Sequence, residues 1–442
     1  LIGGVDEAAE DKEFFMSEPQ KIAVIGLGYV GLPLAVHLAK HFSVVGLDID
    51  SRRVEELKGG HDRTREIESD MLAATTMVFA DDASAIRGSD IYIVTVPTPV
   101  DGANKPDLGA VRGASKMVGG VIEKGAIVVY ESTVYPGVTE DVAGPELEAA
   151  SGLTCGVDFF LGYSPERINP GDREHTVDRI TKVVAGQTED VAETLCAMYG
   201  KLTSGGVFKA RDIRTAEAAK VIENAQRDIN IAFINEVATI FQKMGLSIYD
   251  VLDAAGTKWN FLNFSPGLVG GHCIGVDPFY LAHSATAIGH HPEIILSGRR
   301  INDAMGGYVA ECIARELATQ GKGAGARVLM LGLTFKENVP DLRNSHVIDI
   351  VRGLVGRGLV VDVHDAFADA EEAKAIFGVD LLPTLEGAGN YDCVIGAVSH
   401  TPYLELTDDD FATLMGDSGL IADVKGMWRK RALPANYHRW QL

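Results

Sequence analysis

The stretch Lys21-Ile22-Ala23-Val24-Ile25-Gly26-Leu27-Gly28-Tyr29-Val30-Gly31 decides the reading of the fold. Lys21 to Ile25 is apolar and β-branched, as a buried strand requires, and Gly26 to Gly31 is a G-x-G-x-x-G turn. Pro33 to Lys40 reads as the helix that follows and Val44 to Leu47 as the next strand, with Asp48 at its end, 22 residues beyond Gly26. The three glycines permit a tight turn, approach of a pyrophosphate to backbone N–H groups and close packing of the helix, whose N-terminus adds partial positive charge. With strand, helix and acidic residue in register, the turn predicts a dinucleotide site formed by Gly26, Gly28, Tyr29, Val30 and Gly31. Asp48 can accept hydrogen bonds from both ribose hydroxyls and would repel a 2'-phosphate, which favours NAD over NADP. Arg53 weighs the other way, since a guanidinium can accommodate a phosphate.

Working outward, Ile91 to Val96 and Ala126 to Tyr130 are further buried-strand candidates with helical stretches between them, which implies a parallel sheet with helices on both faces. Thr98, within Thr95-Val96-Pro97-Thr98-Pro99, follows one of these strands, where an open α/β sheet binds ligands. Arg214 to Met244 has no Pro and no Gly and carries a broad apolar face, as expected of a long helix that joins domains and packs against a second copy. Glu293 to Thr319 is also helical. A Gly-rich linker at Lys322 to Arg327 precedes a second α/β pattern: a strand from Val328 to Leu333, a helix from Ser345 to Gly356, and strands at Leu359 to His364 and Tyr391 to Ala397. The expected class is α/β, with two Rossmann-like doubly wound parallel-sheet domains joined by a central helical domain. The expected boundaries are 1–20 for a disordered tail or expression remnant, with Met16 a candidate natural start, then 21–211, 212–321 and 322–442.

Composition sets outer limits. The chain has 442 residues and a net charge of -22, which argues against nucleic acid or an anionic membrane as partner. A negatively charged substrate would need local Lys and Arg. Five cysteines, Cys155, Cys196, Cys273, Cys312 and Cys393, are odd in number and widely spaced, so they predict neither a disulfide framework nor a metal site. A reducing cytoplasm fits. No run of about 18 apolar residues marks a membrane span. The histidines show no ligand spacing, and His364 and His400 read as ordinary strand-end residues.

Cys273 lies in the glycine-rich stretch Ser265 to Pro278, where Gly267, Gly270, Gly271 and Gly275 keep bulk away and Asp277 follows by four residues. A thiol beside a nicotinamide can trap a carbonyl for a second oxidation, so the pair suggests a four-electron oxidation of an alcohol to an acid. Lys220 and Asn224, spaced i and i+4 on the long helix, would project from one face. They can hold an oxyanion, or they form an exposed surface pair.

Taken in order, Gly26 to Gly31, Glu131-Ser132-Thr133-Val134-Tyr135-Pro136-Gly137, Tyr163-Ser164-Pro165-Glu166-Arg167, Lys220 with Asn224, Gly270-Gly271-His272-Cys273 and Phe335 to Arg343 resemble the UDP-glucose/GDP-mannose dehydrogenase family. The resemblance runs from about Lys21 to the end. It implies an NAD-binding domain, a central dimerisation domain and a C-terminal UDP-sugar domain, in a homodimer that oxidises a sugar C6 alcohol to a carboxylate with two NAD. It further implies Cys273 as the nucleophile that forms the thioester, Lys220 and Asn224 as oxyanion donors, Asp277 and Thr133 as groups that position water or assist proton transfer, and Glu166 as acid/base. A buried ion pair with Arg167 or another cation is the alternative for Glu166. Implied substrate contacts are Glu166, Arg167, Lys220, Asn224, Phe264, Gly267, Gly270, Phe335 and Lys336. Implied cofactor contacts add Asp48, Arg53, Thr98, Thr133 and Arg343 to the glycine turn.

The segments Arg167-Ile168-Asn169-Pro170-Gly171 and His272-Cys273-Ile274-Gly275-Val276-Asp277 depart from the family's UDP-glucose branch. They resemble the branch that oxidises UDP-N-acetylgalactosamine or UDP-N-acetylglucosamine for surface polysaccharide synthesis. A UDP-glucose 6-dehydrogenase, a two-electron hydroxyacid-type dehydrogenase and a non-catalytic NAD sensor are the alternatives.

Overall fold

The computed structural model describes residues 21–168, 174–271 and 274–442, and the expected tail at 1–20 lies outside them. The chain divides into two compact units, one running to Glu223 with Phe279–Ile288 added, the other comprising Asn224–Pro278 and Gly289–Leu442.

In the first unit the strands are β1 (Lys21–Ile25), β2 (Ser43–Leu47), β3 (Val78–Ala80), β4 (Ile91–Val94), β5 (Ile127–Tyr130), β6 (Phe160–Tyr163), β7 (Lys182–Gly186) and β8 (Val207–Lys209). They form one eight-stranded sheet in the order β3-β2-β1-β4-β5-β6-β7-β8. Alternate residues of each strand enter different cores. Ala23, Ile25, Val94 and Val128 belong to one cluster, and Ile22, Val24, Ile93 and Val129 to the other. Both faces are therefore covered, which is why these strands read as unbroken apolar runs. The expected doubly wound sheet is present with one departure, since β6 and β7 pair antiparallel. Among its described residues their connection contains no crossover helix, so the chain returns at the edge where β6 ends.

The second unit carries β9 (Arg327–Leu331), β10 (Val360–His364), β11 (Cys393–Gly396), β12 (Gly419–Asp423) and β13 (Tyr437–Gln441) in the order β10-β9-β11-β12-β13, all parallel. Again alternate residues separate: Val328 and Met330 face a core shared with Val309, Ile313 and Leu317 of the helix Glu293–Thr319, while Leu329 and Leu331 face a second.

The long helix is Ile213–Lys243, within a residue of expectation at each end. Its apolar residues divide: Val221, Ala225, Ala232 and Ala238 are buried, whereas Ile222, Phe233 and Ile240 are exposed. In the second unit a buried polar chain runs from this helix. Arg299 Nη1 lies 2.6 Å from Asp228 Oδ1, and Asn302 Nδ2 donates to the same oxygen at 2.7 Å. Asn302 Oδ1 accepts from Asn235 at 2.8 Å, and Asn235 grips the backbone N–H and C=O of Gly267 at 2.8 and 3.0 Å. Removing one partner of a buried ion pair strands the other charge. Arg299→Met should therefore cost about 3–5 kcal/mol in urea denaturation; a loss under about 1 kcal/mol would show that Asp228 is held by its amide partners alone.

Candidate active site

The cofactor end of the first unit is built where the strand order reverses, between β1 and β4, the place at which such sheets bind ligands. Gly26 has φ +94°, and a Cβ on Gly31 would stand 1.8 Å from the Gly26 carbonyl oxygen and 2.4 Å from Thr95 Oγ1. No side chain fits there. Thr95 closes the turn by donating its hydroxyl to the Gly26 and Ile25 carbonyls at 2.7 and 2.9 Å. Gly28 is different: it is exposed, and a Cβ would meet nothing within 4 Å. Protein packing does not require glycine at 28. Approach of a pyrophosphate does, so the turn fits a dinucleotide.

Asp48 accepts from Leu27 N at 2.8 Å and from Asp50 N at 2.9 Å, so its carboxylate is fixed beside the turn with lone pairs to spare for ribose hydroxyls. Arg53 is buried against Asp62 at 2.7 Å and donates to the Leu27 carbonyl at 3.0 Å. It braces the turn, and its charge is matched by Asp62. Tyr29 and Val30 are half-buried in the turn itself. Thr98 is buried, and its carbonyl accepts from Tyr280 Oη at 2.9 Å.

Beyond β5 and β6 lies a set of carboxylates. Glu131 forms a fully buried ion pair with Lys182 at 2.8 Å and accepts from Tyr199 Oη at 2.5 Å. Burial and the Glu131 carboxylate hold the Tyr199 hydroxyl protonated well above its usual range. Ser132 Oγ donates to the Val96 carbonyl at 2.6 Å, placing the half-buried Thr133 beside the loop that follows β4. Glu166 is buried, and its Oε1 accepts from the N–H groups of Arg167 and Ile168 at 2.6 and 2.5 Å. The Arg167 guanidinium pairs with Glu223 at 2.9 Å and not with Glu166. Among the described residues Glu166 Oε2 has no hydrogen-bond partner. A buried, unpartnered carboxylate oxygen is unusual and suits a group that handles water or substrate. Glu217 accepts from Gly137 N at 2.6 Å and Thr139 N at 2.9 Å, and burial pushes its carboxyl up to about 7.

Lys220 and Asn224 sit one turn apart on the long helix and are both buried, so they are no surface pair. In the second unit Asn224 Nδ2 lies 2.5 Å from Asp277 Oδ2, and Asp277 is itself buried. Cys273 and His272 lie outside the described residues. The glycines around them have identifiable neighbours: a Cβ on Gly270 would meet the Asn344 carbonyl oxygen at 2.6 Å, and one on Gly271 the Phe335 ring at 2.7 Å. Close packing against these groups accounts for both. Gly267, held by Asn235, faces Lys425, whose Nζ would stand 3.4 Å from its Cβ. Phe335 and Lys336 line a depression with Leu268, Gly270, Ser345 and Lys425. Phe264 packs on the cluster of Ile234 and Tyr249. Arg343 is fastened to Asp341, its Nη2 at 2.6 Å and its Nε at 2.9 Å.

Residues 20–203 match the NAD-binding domain, 214–304 the central domain and 329–430 the UDP-binding domain of the UDP-glucose/GDP-mannose dehydrogenase family. The chain belongs to this family. It is 52% identical over 424 residues to Protein CapL of Staphylococcus aureus, spanning 96% of this chain and 100% of that protein. It is 50% identical over 407 residues to the UDP-N-acetyl-D-glucosamine 6-dehydrogenase of Pseudomonas aeruginosa, spanning 92% and 96%. The solved structure of UDP-D-ManNAc dehydrogenase from Pyrococcus horikoshii matches with a TM-score of 0.86 at 28% identity, over 95% of this chain and 99% of that one. The protein is accordingly an enzyme, a nucleotide-sugar dehydrogenase with an NAD-binding first domain. No helix among the described residues is long and apolar enough to cross a membrane.

Some features of this nucleotide-sugar dehydrogenase escape sequence reasoning. Glu131 stands inside a quoted motif without an assigned role, Glu217 lies one turn before Lys220 on the long helix, and nothing local signals that they meet Lys182 and the Gly137 loop. His400 is no ordinary strand-end residue. It is fully buried, with Nε2 3.1 Å from Asp365 Oδ2. His364 does end β10, where its Nδ1 lies 2.8 Å from Tyr403 Oη.

Two measurements test this site. Gly28→Ala should leave the thermal midpoint within about 2 °C while raising KM for NAD at least about tenfold. A normal KM would mean that nothing approaches the backbone there. For Glu217 the folded pKa of about 7 exceeds the ordinary 4.5. Its stabilisation is fully present below the lower value and is lost as pH rises through the higher one. Urea denaturation at pH 5 and pH 8 should show a fall in the wild type that Glu217→Gln diminishes, and an equal fall in both would assign it to other groups.

Proposed function

We propose that the protein oxidises the C6 hydroxyl of a UDP-N-acetylhexosamine to the carboxylate in two NAD-dependent steps, through a thiohemiacetal and a thioester on Cys273. The observation that carries this reading is Glu166, buried, fixed by two backbone N–H groups and unpartnered at Oε2, as a base for hydrolysis requires. The similarity to the Pseudomonas UDP-N-acetyl-D-glucosamine enzyme over 92% of the chain favours the gluco sugar over its C4 epimer. Surface polysaccharide synthesis is the use that reading implies.

NAD, when bound to the Gly26–Gly31 turn, would supply the acceptor for the hydride lost from C6 at each oxidation, the hydroxyl proton of the first step passing to water that Thr133 and Asp277 position. The remaining roles belong to the chain. The Cys273 thiolate bonds to C6 of the aldehyde, and the oxyanion so formed is hydrogen-bonded by the Lys220 ammonium and the Asn224 amide. Asp277, which holds Asn224 at 2.5 Å, orients that amide. After the second oxidation C6 is a thioester; water adds to it, Glu166 takes the water proton, and the C–S bond breaks to return the thiolate. Thr133 positions the water. Lys336 supplies countercharge to the diphosphate, and Arg343 reaches toward the cofactor.

The same proposal includes the division at 21–211, 212–321 and 322–442, a homodimer that covers Phe233 and Ile240, and a cytoplasmic location. Exposed apolar side chains on a long helix support the dimer. The unpaired Cys155, Cys196, Cys312 and Cys393 support the reducing compartment.

Supplying NAD with UDP-N-acetylglucosamine, UDP-N-acetylgalactosamine or UDP-glucose, and counting NADH per sugar, tests the reaction. Two NADH per UDP-N-acetylglucosamine are expected. One NADH, or activity on UDP-glucose alone, would refute it. Cys273→Ser should slow uronate formation on the order of 10³-fold or more, and full turnover by that variant would remove the thioester.

A further inference from the structure

We infer that His400 is a positioning residue for nucleotide-sugar recognition, fixing the turn that carries Lys336. This rests on reading the depression at Lys336 as the nucleotide-sugar site.

His400 is fully buried, its ring 4.9 Å from that of Phe367 and 5.5 Å from that of Tyr403. Its two nitrogens have different partners. Nδ1 accepts the backbone N–H of Asn338 at 2.9 Å, so that nitrogen carries no proton and the ring hydrogen lies on Nε2. Nε2 stands 3.1 Å from Asp365 Oδ2 and 3.0 Å from Thr334 Oγ1. Asp365 is held in turn by the N–H groups of Leu333 and Thr334 at 2.6 and 3.0 Å. Thr334 donates its hydroxyl to the Lys336 carbonyl at 3.0 Å. Asn338 has φ +58°, in the left-handed region, and its Oδ1 accepts from Thr401 N at 3.0 Å.

One imidazole thus ties both sides of Lys336: residue 334 through the hydroxyl and Asp365, and residue 338 through its amide. The turn they close presents Phe335 and Lys336 to the depression that Lys425 also lines. Two ammonium groups against the one carboxylate of Glu337 leave the lining of this depression with an excess of positive charge that suits an anionic diphosphate, and the placement of Lys336 depends on the backbone that His400 holds. Loss of the pin should therefore weaken binding of the nucleotide-sugar and leave the chemical step intact.

The test uses the full-length protein with UDP-N-acetylglucosamine and NAD in steady state, and UDP alone in calorimetry. His400→Phe should raise KM for the sugar nucleotide and Kd for UDP about tenfold or more, with kcat and KM for NAD within about twofold. His400→Asn, whose carboxamide oxygen falls near the position of Nδ1, should keep the Asn338 bond and restore KM to within about threefold. His400→Gln, reaching the Nε2 position only, should not. Thr334→Val, which removes a single hydroxyl, serves if His400→Phe does not fold, and should raise KM a few-fold. Unchanged KM in the folded variants, a fall in kcat at constant KM, or an Asn variant as impaired as the Phe variant would each overturn the inference. A wild-type protein that neither binds UDP nor oxidises the sugar nucleotide would instead overturn the proposed function.

Discussion

The cofactor end of the molecule depends on one close approach. The helix Gly31–Leu38 begins so near the end of β1 that a methyl group on Gly31 would lie 1.8 Å from the Gly26 carbonyl oxygen. That contact brings the helix N-terminus, with its unsatisfied N–H groups, to the switch between β1 and β4. Everything near it adapts to keep the distance: Thr95 donates to both turn carbonyls, Arg53 to the Leu27 carbonyl, and Asp48 accepts the Leu27 N–H. Glycine at 31 answers a packing demand and glycine at 28 a ligand's demand, and only the second is free to vary without harm to the fold.

A protein with net charge -22 that binds a diphosphate must control where its cations are spent. Several basic side chains are neutralised inside the fold: Lys182 by Glu131, Arg53 by Asp62 and Arg299 by Asp228. Such pairs add little net stability against apolar substitutes, but breaking one is costly, so they act as fixed points in the core. Lys336 and Lys425 instead reach the depression. The negative surface repels anions at long range, whereas these ammonium groups act within the screening length of about 8 Å.

Local patterns were legible in the sequence and long-range pairings were not. β1 and its turn are contiguous and Asp48 follows at the end of β2, 22 residues beyond Gly26, so local spacing alone points to a strand, a turn and a ribose acceptor. The 31-residue helix is equally plain, because it lacks Gly and Pro. By contrast, the Lys182–Glu131 pair joins the first residue of β7 to the residue that follows β5, with β6 between the two strands, and Asn235 meets Gly267 across 32 positions. No periodicity encodes such partners. The glycines of the Cys273 loop show a subtler limit: sequence shows that bulk is excluded but not by what. At Gly270 and Gly271 the excluding groups are Asn344 and Phe335. His400 could not be distinguished from other histidines because its three ring partners, Asn338, Asp365 and Thr334, are all distant in sequence.

Three carboxyl groups in the first unit stand in three different environments. Glu131 faces Lys182 and accepts a tyrosine hydroxyl, while full burial pushes its carboxyl above the usual range. Glu217 is buried with backbone N–H donors only, and desolvation outweighs them, leaving its carboxyl half-protonated at about pH 7. Glu166 has two N–H donors on one oxygen and, among the described residues, none on the other. Interchanging these environments would exchange the roles, since residue type is the same at all three. A cation, a loop backbone and an unpartnered second oxygen thus distinguish three identical side chains, so that environment and not residue type sets what each can do.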